Sequence, residues 1–160
     1  AEQTYMAADK RRTELIHRDI YDEQGNVVTP SPVRGYFSSK YVDPDFIGER
    51  TSARPYLIRY SDIALVFAEA AGPDEGLALV NRIRERAGIP DLPAGMGLEE
   101  FRTAVIQERA LELAFEGNRL YDLRRTASVT STVPEASKLS EEEAAFYPIP
   151  QRELDLNPNR

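Results

Sequence analysis

Glu108-Arg109-Ala110-Leu111-Glu112-Leu113-Ala114-Phe115-Glu116-Gly117-Asn118-Arg119-Leu120-Tyr121-Asp122-Leu123-Arg124-Arg125 is the stretch on which the fold turns. Glu108, Glu112 and Glu116 recur every fourth residue, which lines three carboxylates along one face of a helix. Arg109 flanks the row, and Arg119 follows three residues past Glu116. Leu111, Ala114 and Phe115 make an adjoining apolar strip. The spacing predicts a helix from about Leu98 to Phe115, with Glu99 and Glu100 in a first turn whose dipole favours acids. Gly117 breaks or kinks it, and Asn118 to Arg125 continues as a short further helix.

Three glutamates in a row allow two chemistries. A carboxylate-bridged dimetal site wants Glu-x-x-His pairs from facing helices, and the one histidine, His17, lies outside the helical region. The other is a partly buried carboxylate–guanidinium network, with arginine as the bidentate partner. We take the network as the expectation, with no metal and no cofactor. Its members are Arg59, Glu108, Arg109, Glu112, Glu116, Arg119 and Asp122, with Arg82 or Arg84 as further partners. The gain expected is the choice of helix partner rather than net stability. Arg119, Arg124 and Arg125 offer an anion site near the Gly117 turn. The competing role is to answer local acids or cover a helix C-terminus.

Upstream, Ile58 or Arg59 to Ala71 carries Ile63, Val66, Phe67 and Ala70 at the spacing of a core-facing stripe. Gly72-Pro73 stops that helix. Asp74 is the expected N-cap of the next helix, whose stripe is Leu77, Val80, Ile83 and Ala87 and whose end is Gly88-Ile89-Pro90. Two such helices across a short turn form an antiparallel αα-hairpin of tetratricopeptide type. A lone hairpin cannot bury its apolar face and expects neighbouring repeats.

Residues 1–57 differ in texture, holding five of the eight tyrosines among turn-forming residues. Glu14–Tyr21 and Val27–Thr29 read as two short strands around a loop, and 35–41 as a further extended piece. Tyr36, Phe37, Tyr41, Phe46 and Tyr56 pose a choice between a platform that stacks on sugar faces and a cover for the first helix. Tyr36, Tyr41 and Tyr56 are the ligand-binding candidates. Residues 127–160 read as a polar loop with one helical turn near Glu141–Ala145, then an extended tail through Tyr147-Pro148-Ile149-Pro150.

Composition removes several function classes. A net charge of −7 and a pI near 4.9 oppose a nucleic-acid partner, which needs a positive field. Zero cysteines exclude disulfides, thiolate metal sites and cysteine nucleophiles. The longest mainly apolar stretch, Ile63 to Ala71, contains Glu69 and falls far short of the roughly 20 residues of a membrane span. No Gly-x-Ser-x-Gly elbow, Gly-x-Gly-x-x-Gly or phosphate loop occurs, so no catalytic residue is assigned. With no initiator methionine, signal segment or lipidation cysteine, the chain is expected to be cut from something longer.

Four blocks together resemble the SusD/RagB family. Arg59-Tyr60-Ser61-Asp62-Ile63 through Ala68-Glu69-Ala70 looks like its "RYAEILLMYAEA" helix. Ala78 to Gly88 is similar to "ALNxVRxRAG". Glu108 to Arg125 matches "ERxxELAFEGxRxxDLRR" almost letter for letter. Tyr147-Pro148-Ile149-Pro150 with Glu153 and Asn157-Pro158 matches "xPIPxxExxxNP". Asp9-Lys10-Arg11 resembles the "DxR" that precedes a variable loop.

The resemblance implies an all-α fold with tetratricopeptide-type helix pairs, plus long loops and a small β-hairpin. It makes residues 1–160 a C-terminal domain whose N-terminal helical-repeat half is absent. Within it, 1–57 is loop-rich, 58–126 is the helical core and 127–160 is loop and tail. It also implies a non-catalytic role: a lipid-anchored nutrient-binding subunit on the outer membrane of a Gram-negative bacterium. Such subunits bind oligosaccharides, or in some members peptides, for a TonB-dependent, SusC-like transporter. The alternative is a structural or adaptor module whose helices grip a protein partner.

Overall fold

The computed structural model describes residues 5–19, 24, 26–27, 37–43, 45, 47, 50–146 and 149–157. The chain divides into two units, Ala1–Glu116 and Gly117–Arg160. Apart from one two-stranded hairpin, its regular structure among the described residues is helical.

The first unit opens with α1, Lys10–Glu14, capped by the Asp9 carboxylate, which accepts from the Arg11 backbone N–H at 3.0 Å. Strand β1, Ile16–His17, pairs antiparallel with β2, Phe37–Ser38, placing Ile16 opposite Ser38 and His17 opposite Phe37. The sequence expectation paired 14–21 with 27–29. Within the described residues the partner of β1 is instead the later extended piece, and 20–23, 25 and 28–29 lie outside them. A 3-10 turn, Ser39–Tyr41, follows.

Helices α2, Tyr60–Ala71, and α3, Pro73–Ala87, form the antiparallel hairpin. Gly72 stands between them at φ 83°, a left-handed angle that side chains disfavour. Pro73 then takes the first helical position, where no N–H is needed. Asp74 therefore lies inside the first turn of α3 and is not its cap. At the far end Gly88, φ 74°, closes a Schellman motif: its N–H reaches Glu85 O and that of Ile89 reaches Arg84 O, each at 3.0 Å.

The buried face of α2 differs from the expected stripe. Ser61, Ala64, Leu65 and Ala68 point inward, whereas Ile63, Val66 and Phe67 are 54%, 49% and 47% exposed. The cause is a backbone-close crossing. A Cβ on Gly76 of α3 would lie 2.7 Å from Ala68 Cα, so α3 packs against the small residues of α2 and excludes its bulky ones. On α3 the buried residues are Gly76, Val80, Ile83, Arg84 and Ala87, the expected stripe with Leu77 half-buried beside it.

Helix α4, Leu98–Glu112, lays Phe101 and Val105 onto this hairpin and completes the core with Ala64, Leu65, Ala68, Val80 and Ile83. It ends three residues before the expected Phe115. Phe115 has φ 67° and Gly117 φ 84°, which no α-helix accommodates. Glu116 thus sits in the turn beyond α4 and not on its third carboxylate rung.

In the second unit, α5 (Arg119–Arg125), α6 (Val129–Thr132) and α7 (Glu141–Ala145) gather Leu123, Val129, Ala136 and Ala144 into a small core. Ser140 and Glu143 form a capping box on α7. Helix α8, Gln151–Leu156, occupies a stretch for which the sequence carried no helical expectation.

Candidate functional site

The end of α4 explains both the helix stop and the site built around it. The last carbonyls of a helix have no partner within it and attract cations. Here Lys40 Nζ donates to the carbonyls of Glu112 and Ala114, both at 2.8 Å, and Arg59 Nη2 to that of Glu112 at 2.7 Å. The Tyr5 hydroxyl takes Leu111 O at 2.9 Å, and burial pushes that phenol up to about 12. Side chains from distant segments thus terminate α4 where intrahelical bonding would otherwise have gone on.

The same cations meet the glutamate row. Glu108, fully buried, accepts from Arg11 Nη1 at 2.7 Å and Arg84 Nη1 at 2.8 Å. Arg11 also grips Asp9 with two bonds, at 2.9 and 2.8 Å, and reaches Glu112 at 3.1 Å. Glu112 further accepts from Arg59 Nη1 at 2.7 Å and from Arg86. Glu116 receives a two-pronged bond from Arg59, Nε and Nη2 each at 2.8 Å, and a third from Lys40.

Electrostatics follow these contacts. Burial opposes the charge on Glu112, yet Arg59 and Arg86 outweigh it and hold the carboxyl at about 2. Burial opposes ionisation of Glu116 too, and Arg59 and Lys40 win there, keeping it below the ordinary carboxylate value. For Arg11 the cost of burial is exceeded by Asp9 and Glu108, so the guanidinium is harder to deprotonate than usual. Burial holds Lys40 below the ordinary lysine value against the pull of Glu116. Its three acceptors are nevertheless those an ammonium satisfies.

Of the remaining expected network residues, Arg109 reaches across to Asp62 on α2 at 2.8 Å. Arg119 and Asp122 belong to the second unit, where Asp122 pairs with Arg125 at 2.8 Å. Arg82 is exposed. Arg124 donates to the Ala144 carbonyl in the last turn of α7. Asp9, Arg11, Lys40 and Arg86 were not expected there. The signals present were the Asp9-Lys10-Arg11 motif and, for Arg86, its place in the Ala78 to Gly88 block; nothing in the sequence placed Lys40 in the network.

Beside the network lies an aromatic cleft of about 420 Å³. Tyr41 and Tyr56 form one part of its wall, with ring centres 6.1 Å apart and planes tilted by 43°. Phe115, Thr51 and Pro55 line it with them, and Glu116 stands at its edge. Tyr36 and Phe46 lie outside the described residues. Asp43 holds the loop that supplies Thr51 and Pro55, accepting from the Thr51 hydroxyl at 2.8 Å, the Ser52 hydroxyl at 2.9 Å and the Asp45 N–H at 3.0 Å. Those bonds, Thr51 first, draw the Asp43 carboxyl down to about 2. Phe115 was assigned to an apolar helix strip. Its left-handed backbone makes it a cleft residue instead, and nothing local in the sequence announces that angle.

The chain is similar in sequence and fold to known proteins. The SusD family model covers residues 11–159. SusD-like protein P2 of Formosa agariphila is 37% identical over 90 residues, 49% of this chain and 18% of the relative. SusD-like protein P38 of the same organism is 32% identical over 114 residues, 64% and 22% respectively. A crystal structure of a SusD homolog from Bacteroides thetaiotaomicron superposes over 93% of this chain and 39% of its own, with TM-score 0.68 and 28% identity. A SusD superfamily protein from Parabacteroides distasonis shares the fold at TM-score 0.77 and 22% identity, over 99% of this chain and 39% of its own. The chain therefore spans about a fifth of the length of these curated relatives. With an all-α hairpin core locked to a glutamate row, and a family match over nearly its whole length, the chain belongs to the SusD family.

Proposed function

We propose that this chain is part of a non-catalytic nutrient-binding protein that captures oligosaccharides at the cell surface for a TonB-dependent outer-membrane transporter. The protein is held there by a lipid anchor, and the cleft of Tyr41, Tyr56 and Phe115 forms part of the glycan-binding surface. The observation that carries this reading is the pair of tilted tyrosine rings beside Phe115, in an open cleft of about 420 Å³. Apolar ring faces match the C–H faces of a pyranose, and phenol hydroxyls at the rim serve its hydroxyls. Family membership supports the nutrient-binding role in general. Affinity electrophoresis of the whole protein through gels containing neutral polysaccharides tests the ligand class. Retardation by at least one polysaccharide, lost in Tyr41→Ala/Tyr56→Ala, is expected. Retardation by none, or retardation that the double variant keeps, would contradict it.

A second reading, a structural or adaptor module that grips a protein partner, draws on the outward face of α2, where Ile63, Val66 and Phe67 are about half exposed. In our reading that face belongs under neighbouring helical repeats of the whole protein, as an unpaired helix hairpin requires. Recovery of the protein with a soluble partner, and not with a transporter, would favour the adaptor.

A further inference from the structure

The aromatic cleft is assembled from three separate pieces of chain, and each piece is fastened beside its ring to one carboxylate. Tyr41 follows Lys40 directly in the 3-10 turn Ser39–Tyr41, and Lys40 bonds Glu116. Tyr56 lies three residues before Arg59, which holds both oxygens of Glu116 at 2.8 Å. Phe115 precedes Glu116 itself and is turned by a φ of 67°. The Glu116 carboxylate is nearly sealed from solvent, its side chain 3% exposed. Glu116 and Tyr56 line both the aromatic cleft and a second cleft shared with Arg11, Lys40, Arg59 and Glu112.

We propose that Glu116 is the positioning residue of the aromatic cleft, gathering the segments that carry Tyr41, Tyr56 and Phe115 into one surface. Tyr56 and Phe115 have little packing of their own to hold them, being 52% and 44% exposed, and Tyr41 is only half-buried. Their spacing must come from the backbone behind them, and a stacking surface loses its ligand when its parts drift by more than about 0.5 Å. A charge-assisted carboxylate with three donors is a strong and directional tie. Arg59 spans Glu112 and Glu116, so the cleft is also anchored to α4. That the rings then bind sugar rests on the functional reading above. That Glu116 places them does not.

The test separates the two. The protein is labelled with 3-fluorotyrosine, and its fluorine spectrum is recorded for wild type, Glu116→Gln and Lys40→Met, each ring being assigned by Tyr→Phe replacement. Glu116→Gln is expected to shift or broaden both Tyr41 and Tyr56 while Tyr121, in the other unit, stays in place. Affinity for any neutral hexasaccharide that binds wild type is expected to fall tenfold or more. Lys40→Met frees the Tyr41 segment from Glu116 and also from the Glu112 and Ala114 carbonyls, so Tyr41 is expected to move further than Tyr56; if Glu116→Gln does not fold, Glu116→Asp, which keeps the charge and shortens the reach, takes its place. Unmoved Tyr41 and Tyr56 signals in a folded Glu116→Gln or Glu116→Asp, or in Lys40→Met, overturn the positioning role. Moved rings in the variants, with no wild-type response to gluco-, manno-, xylo- or galacto-hexasaccharides, leave the positioning role standing and remove the glycan reading.

Discussion

Arg11 Nη1 lies 2.7 Å from Glu108 Oε1, joining α1 to α4 across 97 residues of chain. Arg84 approaches the other oxygen of the same carboxylate at 2.8 Å. Both bonds are buried, and removing one partner of such a group leaves an uncompensated charge in a poor solvent for it. Glu108→Ala is expected to cost about 3–5 kcal/mol in urea unfolding, read as a lower midpoint at unchanged slope. Glu99→Ala breaks the exposed 2.9 Å pair with Arg102 and should cost well under about 1 kcal/mol. Equal losses in the two variants would contradict a special role for the buried cluster.

Gly76 fixes how near α3 comes to α2. A methyl group there would meet Ala68 Cα at 2.7 Å and Ala68 O at 2.8 Å, both backbone atoms that cannot swing aside. Gly76→Ala gains about 1 kcal/mol of helix propensity but should still lower stability, by about 1–3 kcal/mol net of that gain, because overpacking forces the helices apart. A raised melting temperature would show that the crossing has slack.

These two sites show what the sequence made legible. The α3 stripe of Leu77, Val80, Ile83 and Ala87 was readable because that helix carries one apolar face. Helix α2 carries two, Ile63–Val66–Phe67 and Ala64–Leu65–Ala68, and bulk favours the wrong one. Only the glycine on its partner decides between them. The length of α4 was overread for a similar reason. Its stop comes from Lys40 and Arg59, 72 and 53 residues away from the carbonyl of Glu112 that they capture, so no local pattern could show it. Of the candidate site, Tyr41 and Tyr56 were visible as aromatics in a loop-rich half. Phe115 and the tie through Glu116 emerge only once the chain is folded.

Glu112 makes stability depend on acid. Its folded value of about 2 lies below the ordinary 4.5, so the stabilisation is complete above about pH 4.5 and is lost as pH falls toward 2. The sign is that of a depressed carboxylate: the unfolded chain binds the proton first. The shift corresponds to about 3 kcal/mol. Unfolding followed by circular dichroism from pH 6 to 2 should show a steep loss in this window, and Glu112→Gln should be less stable at pH 6 and show a shallower slope. Parallel curves would contradict the assignment.

Asp43 ties Asp45, Thr51 and Ser52 together without contributing to a core. The Ser52 backbone N–H also donates to Asp43, so Asp43→Ala, which removes the acceptor shared by Thr51, Ser52 and Asp45, should lower amide protection at Ser52 several-fold while the global melting temperature holds. Unchanged exchange at Ser52 would show that the loop is set by other means. Thr51 and Pro55 line the aromatic cleft, so the same variant should weaken glycan binding by a few-fold.

In the proposed function, Tyr41 and Tyr56 hold sugar. Isothermal titration of the whole protein with a hexasaccharide drawn from a polysaccharide that retards it is the most direct measurement. Replacement of Tyr56 by alanine is predicted to weaken binding by about 1.4–2.8 kcal/mol, that is ten- to a hundredfold, as removal of a central aromatic anchor does at other binding surfaces, with the melting temperature unchanged. Wild-type affinity in that variant would contradict the claim.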